Sequence, residues 1–220
     1  MLWQEKVVEF LGDFIGTIGP VTGFMRNGHN LLRSSTSSVK NKGTSLQLAQ
    51  QEKIDVCTRF IKVFTGTGFL NKSFPAYGHT GTGYNRAMGA LMSRALTGVY
   101  PSMQLNYQEV LISKGRLPAV HSAKVVKKAN NILQFTFTDN SADGIASPND
   151  TVILVAYAAD IQQAVFGLYN GFREDKKASL NVTALKGHAM ETWIGFLSAD
   201  EQDASDSVWV GGWCKQIYNG

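Results

Sequence analysis

The chain has few cysteines and no long uncharged apolar run, and each shortage excludes a class of protein. Only Cys57 and Cys214 occur among 220 residues, too few for a disulfide framework and without the spacing of a zinc site. Glu9 and Asp13 interrupt the N-terminal apolar segment, so no stretch reaches the roughly 18 residues of a membrane-spanning helix. Glu5 lies where a secretory leader would be basic. We therefore expect a cytoplasmic protein, or one built into a particle that assembles there.

The sequence also lacks the motifs of known catalytic and metal sites. It has no G-x-S-x-G and no H-E-x-x-H, and its four histidines are scattered. The glycine-rich residues 78–83 resemble a phosphate cradle, but no P-loop lysine accompanies them. The carboxylates of residues 200–206 could ligate calcium, yet their spacing is not that of a known loop. We therefore expect a protein that is not an enzyme, with no catalytic residue, no cofactor and no metal.

Positive charge is concentrated in the first half of the chain. The net charge of +4 divides into +2 over residues 1–43, +5 over residues 44–116 and −3 over residues 117–220. This asymmetry has three interpretations: an anionic partner such as nucleic acid or an acidic polysaccharide, self-assembly in which a basic end meets an acidic end, or an ordinary solvated surface. No block of five or six like charges occurs, which favours the third.

Residues 2–15 have the pattern of a short amphipathic helix. Its apolar stripe consists of Trp3, Val7, Phe10, Leu11 and Phe14. A helix this short gains most of its stability from packing. The stripe therefore needs a partner, either in this chain or in another subunit.

Glycines recur from residue 12 to residue 28, which predicts short extended pieces joined by turns. Asn27-Gly28 is a typical two-residue hairpin turn, and residues 31–33 would form the returning strand. A ribbon of this kind has exposed edges and little core, so pairing with a neighbouring molecule is one way to complete it. A loose basic strip with an aromatic neighbour runs through this region: Phe24, Arg26, His29, Arg33, Lys40 and Lys42.

Two helices are expected in the middle of the chain. Thr44 and Gln47 form a capping box, and the helix after it would bury a side that runs from Leu46 to Phe64. A second helix is predicted over residues 82–98, with Gly83 in the turn before it and an apolar face that begins at Tyr84. Residues 107–113 are predicted as a strand.

From residue 117 the hydrophobic pattern alternates with the period of β-strands. Leu133, Phe135 and Phe137 alternate with polar residues, whereas residues 152–157 are apolar on both faces, as in a central strand. About seven strands are expected, which predicts an immunoglobulin or fibronectin type III-like antiparallel β-sandwich. The predicted class is α+β, with a helical, Gly-rich half over residues 1–116 and the sandwich over residues 117–220.

Several segments together carry a likeness to a known family: residues 16–23 with Arg33-Ser34, residues 44–51, Gly83-Tyr84-Asn85, residues 95–101, Ser113-Lys114-Gly115-Arg116-Leu117, residues 137–141 and residues 196–200. Over nearly its whole length the chain resembles a domain-of-unknown-function family of uncharacterised bacterial proteins. The resemblance implies a Gly-rich ribbon, a helical middle and a β-sandwich, in that order, and no activity, cofactor or catalytic residue.

Two functions from different classes fit these features. The first is a non-enzymatic structural or interaction protein that assembles with itself into a larger particle or filament. The alternative is a surface binding module for polysaccharide or nucleic acid, with a sugar face formed by Tyr169, Phe172, Trp209, Trp213 and Tyr218. The residues expected to make the interactions are Trp3, Val7, Phe10, Phe14, Phe24, Arg26, His29 and Arg33.

Overall fold

The chain forms two compact units, Met1–Gly43 and Thr44–Gly220. The computed structural model describes residues 15–26, 28–34, 43–78 and 80–213. The helix predicted over residues 2–15 therefore lies outside the described residues, apart from its last position. The boundary predicted between residues 116 and 117 lies within the second unit and stays a prediction.

The first unit contains a three-stranded antiparallel ribbon in the order β1-β2-β3. Its strands are β1 (Gly16–Ile18), β2 (Val21–Arg26) and β3 (His29–Ser34). Arg26 pairs with His29 across the turn, where Gly28 has a φ of +79°, a conformation that glycine adopts without a steric penalty. The hairpin predicted from the Asn-Gly pair is confirmed.

The second unit begins with helices. They are α1 (Ser45–Ile61), a 3-10 turn (Lys62–Phe64), α2 (Phe69–Ser73) and α3 (Gly83–Ala90), which a π-helical turn (Leu91–Ala95) extends. The predicted capping box is present, since Thr44 Oγ1 accepts from the Gln47 N–H at 3.3 Å and Gln47 Oε1 accepts from the Thr44 N–H at 2.9 Å. None of these helices in the described part is long and apolar enough to cross a membrane.

Helix α1 buries only its C-terminal part. Cys57, Phe60 and Ile61 are buried, but Leu46 is 81% exposed, so the expectation that Leu46 belongs to the buried side is wrong. The burial begins at Val56. The first turns of α1 therefore lie beyond the core, and the capping box rather than packing holds them.

The helix predicted over residues 82–98 is confirmed in place, with two differences. It ends at Ala95, and the chain continues as the short strand β4 (Leu96–Thr97), which pairs with β5 (Gln104–Leu105). Gly83 is its first residue rather than part of the preceding turn. A Cβ on Gly83 would lie 2.1 Å from the Leu70 carbonyl oxygen, so this glycine allows α2 and α3 to approach each other closely.

Residues 107–113 are not a strand, contrary to the prediction. Tyr107–Glu109 forms a 3-10 turn, and Val110 and Ile112 are buried without joining a named strand. Trp193 Nε1 donates to the Tyr107 carbonyl at 3.3 Å, and the Ile112 N–H donates to Ser207 Oγ at 2.9 Å. These apolar residues fill space between helices and sheet, which produces the same hydrophobic sequence signal as a strand.

Seven longer strands follow, all with antiparallel partners, in a three-stranded sheet of order β10-β7-β6 and a four-stranded sheet of order β12-β11-β8-β9. Their number agrees with the seven or so strands predicted from the sequence. They are β6 (His121–Lys128), β7 (Ile132–Thr138), β8 (Thr151–Ala158), β9 (Gln163–Gly167), β10 (Lys177–Asn181), β11 (Met190–Leu197) and β12 (Val208–Trp213).

The four-stranded sheet is covered on both faces. Leu154 and Phe196 belong to a core shared with Phe135 of the three-stranded sheet. Val155 and Trp193 belong to a second core, shared with the helices. The apolar character of β8 on both faces, which predicted a central strand, is explained by this double burial.

One end of the strands contains a buried ion pair. Arg173 is fully buried, its Nε lies 3.1 Å from Asp150 Oδ2, and its Nη1 donates to Asn140 Oδ1 at 2.5 Å. The guanidinium carbon lies 3.7 Å from the centre of the Phe196 ring. Burial lowers the pKa of Arg173, and the charge of Asp150 opposes that effect. Because Arg173 and Asp150 are both buried and paired with each other, we assign this ion pair a structural role and not a binding role.

Two glycines of α3 should respond in opposite ways to alanine. Gly83→Ala should lower the free energy of unfolding by about 2 kcal/mol or more, because the new methyl group meets the backbone of α2. A Cβ on Gly89 has no atom within 4 Å, so Gly89→Ala should raise the free energy of unfolding by roughly 0.5–1 kcal/mol. Urea denaturation followed by circular dichroism measures both. Equal effects of the two substitutions on the free energy of unfolding would contradict the close contact between α2 and α3 at Gly83.

Candidate functional site

The ribbon of the first unit has one apolar and one basic face. Because side chains alternate along a strand and paired residues share a face, the register places four apolar side chains together. This apolar ribbon face consists of Ile18, Val21, Met25 and Leu32. Ile18 is 68% exposed and Met25 is 50% exposed.

The opposite surface, the basic ribbon face, carries Phe24, Arg26, His29 and Arg33, together with Leu31, Thr17 and Thr22. The Arg33 guanidinium carbon lies 5.7 Å from the centre of the Phe24 ring, within cation-π range. The structure thus brings together all four of the predicted interaction residues that it describes in the ribbon. Trp3, Val7, Phe10, Phe14, Lys40 and Lys42 lie outside the described residues.

A cleft of about 500 Å³ lies in the second unit, between the loop after α2 and helix α3. We call it the basic cleft. Its walls are largely apolar and include Phe74, Pro75, Ala76 and Ala90. Three cations line it, Arg86, Lys114 and Arg116, and no carboxylate of the described residues does. The sequence did not predict this cleft, because the residues that line it come from separate stretches of the chain.

Backbone contacts position two of these residues, but only in Arg86 is the charged group itself held. Arg86 donates from Nε to the Phe74 carbonyl at 2.7 Å and from Nη1 to the Gly81 carbonyl at 2.9 Å. The Lys114 N–H donates to the Ser73 carbonyl at 2.9 Å. The basic residues on either side of Gly115 were the available sequence signal, but only the fold brings them next to Arg86.

The third cation belongs to a cluster around Asp203. Arg116 Nε donates to Asp203 Oδ2 at 3.0 Å, and its guanidinium lies 4.2 Å from the centre of the Tyr77 ring. The Tyr77 hydroxyl donates to Asp203 Oδ1. Burial, together with this hydrogen bond, raises the pKa of Tyr77. A Cβ on Gly115 would lie 2.0 Å from the Ala204 carbonyl oxygen, so a side chain at this position would break the cluster.

The glycine-rich entry to α3 is not a free phosphate cradle. The Gly83 N–H donates to Asn71 Oδ1 at 2.9 Å, and the Asn85 N–H donates to Thr82 Oγ1 at 3.3 Å. The first turn of α3 therefore already has partners for these two amides within the chain.

The carboxylates within residues 200–206 bond to different partners and do not converge. Asp200 accepts from Ser198 Oγ at 2.6 Å, Glu201 pairs with Lys72 at 2.7 Å, and Asp206 Oδ1 accepts from the Gly115 N–H at 3.2 Å. Over the described residues, no three His, Cys, Asp or Glu side chains are placed to share a metal ion.

The other candidate residues are dispersed. His188 pairs with Asp160, with Nδ1 and Oδ2 2.5 Å apart, and burial raises the pKa of the Cys57 thiol to about 11, which leaves it unreactive at neutral pH. Trp209 Nε1 donates to Glu191 Oε2 at 2.7 Å. In the expected sugar face, no ring contact joins the three aromatic residues whose side chains the structure describes, Tyr169, Phe172 and Trp209.

Asp203→Asn should lower the free energy of unfolding by about 2 kcal/mol, because the charge that accepts from Tyr77 and Arg116 is lost. Asp55→Asn is the matched control, since Asp55 is exposed and its carboxylate makes no hydrogen bond to the described residues. Urea denaturation at neutral pH compares the two variants. If the free energy of unfolding falls no further in Asp203→Asn than in the control variant, the cluster does not stabilise the fold.

A comparison with protein-family models identifies the family of this chain. A family model described as "Family of unknown function (DUF6266)" matches residues 13–211, which include the ribbon, the helices and all but the end of the last strand. Neither the curated proteins nor the solved structures contain a match. Since the family model covers most of its length, the chain belongs to DUF6266, a family of unknown function.

Proposed function

We propose that this protein is a non-enzymatic interaction protein that assembles with copies of itself through the ribbon, as a subunit of a larger particle or filament. The observation that carries the proposal is the exposed apolar ribbon face. Ile18 and Met25 lie on it and are both at least half exposed.

The ribbon has little means of stabilising itself. Gly23 is the one buried residue among residues 15–26 and 28–34, and a small isolated sheet without a covered hydrophobic face is marginal in water. Strands β1 and β3 are the edges of its three strands, and edges of this kind pair readily with another chain. Covering the apolar face and extending an edge would both be achieved by association.

A second copy of the chain is the partner that the charges favour. Residues 15–34 carry Arg26 and Arg33 and no carboxylate, whereas residues 117–220 carry a net charge of −3. In this proposal the ribbon of one copy is attracted to the strand-rich part of the next copy, whose net charge has the opposite sign, and this attraction promotes association and fixes its direction.

The strand-rich part is proposed to be a fibronectin type III-like variant of the immunoglobulin sandwich. Counted from β6, the first, second and fifth strands form one sheet, and the third, fourth, sixth and seventh form the other. Constant-type immunoglobulin domains have the fourth strand in the first sheet. The arrangement here differs from that type by this one strand, and it leaves four edge strands that could receive a ribbon.

Ile18→Glu combined with Met25→Glu should convert an oligomer into a monomer, because two charges would have to be buried in the interface. Size-exclusion chromatography with light scattering, across a concentration series, measures the mass of each species. Leu46→Glu is the control, since Leu46 is an exposed apolar residue of the second unit and should leave the oligomer intact. A wild-type chain that is monomeric at every concentration would contradict the proposal.

A second candidate function, binding of single-stranded nucleic acid, is favoured by the basic ribbon face. Phe24 lies beside Arg26, His29 and Arg33 on one face, and a cationic surface with an aromatic side chain is the usual chemistry of such sites. This face lies opposite the apolar one, but Arg26 and Arg33 are also the charges proposed to attract the next copy, so nucleic acid would compete with that attraction.

Arg26→Gln combined with Arg33→Gln should weaken this binding and reduce the slope of log affinity against log salt by about 1.4, since two phosphate contacts are lost. Fluorescence anisotropy of labelled single-stranded DNA over a salt series measures the slope. Lys124→Gln with Lys128→Gln removes the same charge from strand β6 and should have no such effect. Equal losses in both double variants would mean that binding is not specific to the ribbon.

A further inference from the structure

Two of the three cations of the basic cleft, Arg86 and Lys114, have no carboxylate partner among the described residues, whereas Arg116 pairs with Asp203. Among the described residues, Lys114 Nζ, Arg86 Nη2 and both Nη groups of Arg116 have no hydrogen-bond or ion-pair partner, although Arg86 and Arg116 are held through their other nitrogen atoms. Four nitrogen groups on three residues are thus free to donate, and two of these residues lack an ion-pair partner, so the concave surface has a positive potential that attracts an anion.

The arginines are arranged in advance of any ligand. Arg86 is fixed by two backbone carbonyls, and Arg116 is fixed by Asp203 and stacked on Tyr77. An arginine held in one geometry loses less side-chain entropy when it binds, and its planar group recognises carboxylate and phosphate oxygens through paired hydrogen bonds.

The backbone at this cleft is unusual in two places. Tyr77 has a φ of +47°, a conformation that is rare for a bulky residue. Ser93, on the opposite wall, belongs to the π-helical turn Leu91–Ala95, and such turns are frequent at functional sites. The fold thus maintains costly local conformations on both sides of the cleft, which is typical of a binding site.

From these observations we propose that the basic cleft binds a small organic anion, a carboxylate or phosphate group carried by an apolar body. The volume of about 500 Å³ lies within the range of small-molecule sites. The cations receive the anionic group, and the apolar wall that includes Phe74 and Ala90 receives the remainder of the ligand. This proposal is independent of the ribbon and of assembly.

Titration calorimetry of the full chain tests it with phenyl phosphate and benzoate, which differ in the anionic group, and with uncharged benzyl alcohol and inorganic phosphate for comparison. We expect saturable one-to-one binding of at least one aromatic anion and none of benzyl alcohol. The tighter of the two anions identifies the preferred group. Inorganic phosphate binding as tightly as phenyl phosphate would overturn the assignment of an organic ligand.

Two variants locate the binding. Lys114→Gln should weaken it about tenfold, since one charge-assisted hydrogen bond is lost, whereas Lys124→Gln, on strand β6, should leave it unchanged. Gly89→Leu should abolish it by filling the cleft, and the open space around the Gly89 Cβ position allows this variant to fold, which circular dichroism verifies. No saturable binding of either aromatic anion, an equal loss in Lys124→Gln, or full binding by Gly89→Leu would each overturn the proposal.

Discussion

The four-stranded sheet has a hydrophobic core on each face, and the second unit depends on this double burial. Side chains of β8 and β11 alternate between the two cores, so neither sheet face can lose its cover without exposing apolar surface to water. Phe60 of α1 anchors the helical side: its ring centre lies 4.9 Å from that of Tyr157 and 6.0 Å from that of Trp193. The helices are therefore part of one structure with the sheets.

Residues 113–117 connect the helical layer to the end of the sheet and also form the floor of the basic cleft. The Leu117 N–H donates to the Ala204 carbonyl at 3.0 Å, and the Ser207 N–H donates to the Ser113 carbonyl at 3.1 Å. The cluster of Tyr77, Arg116 and Asp203 fixes the same segment from the other side. A segment held so firmly can present Lys114 and Arg116 at the cleft, because the fold and not the ligand restricts the position of its backbone.

The two units divide the proposed roles. The ribbon offers an apolar face, a basic face and two strand edges, which suit contact with large partners. The basic cleft is concave and small, which suits a compact ligand. Assembly through one surface and ligand binding at another would occur within the same subunit without competing for the same residues.

Sequence reasoning identified the local structure where the chemistry is local. The capping box at Thr44, the Asn-Gly hairpin, the seven strands and the shared face of Phe24, Arg26 and Arg33 follow from hydrogen-bonding capacity and from the period of two, which act over a few residues. The positions of Leu46 and of residues 107–113 were not predictable in this way. An apolar residue gives the same hydrophobic signal in the sequence whether it lies in a strand or fills a gap between layers.

The basic cleft shows more clearly that local sequence patterns do not report long-range contacts. Arg86 and Arg116 are 30 residues apart in the sequence, and neither residue alone indicates an anion site. Their approach depends on the close packing of α2 against α3 at Gly83 and on the hydrogen bonds between residues 113–117 and the chain around Asp203. The amino-acid sequence by itself determined the elements and their order, because propensity and patterning are local. Only the tertiary structure decided which charges share a surface, because that depends on long-range packing.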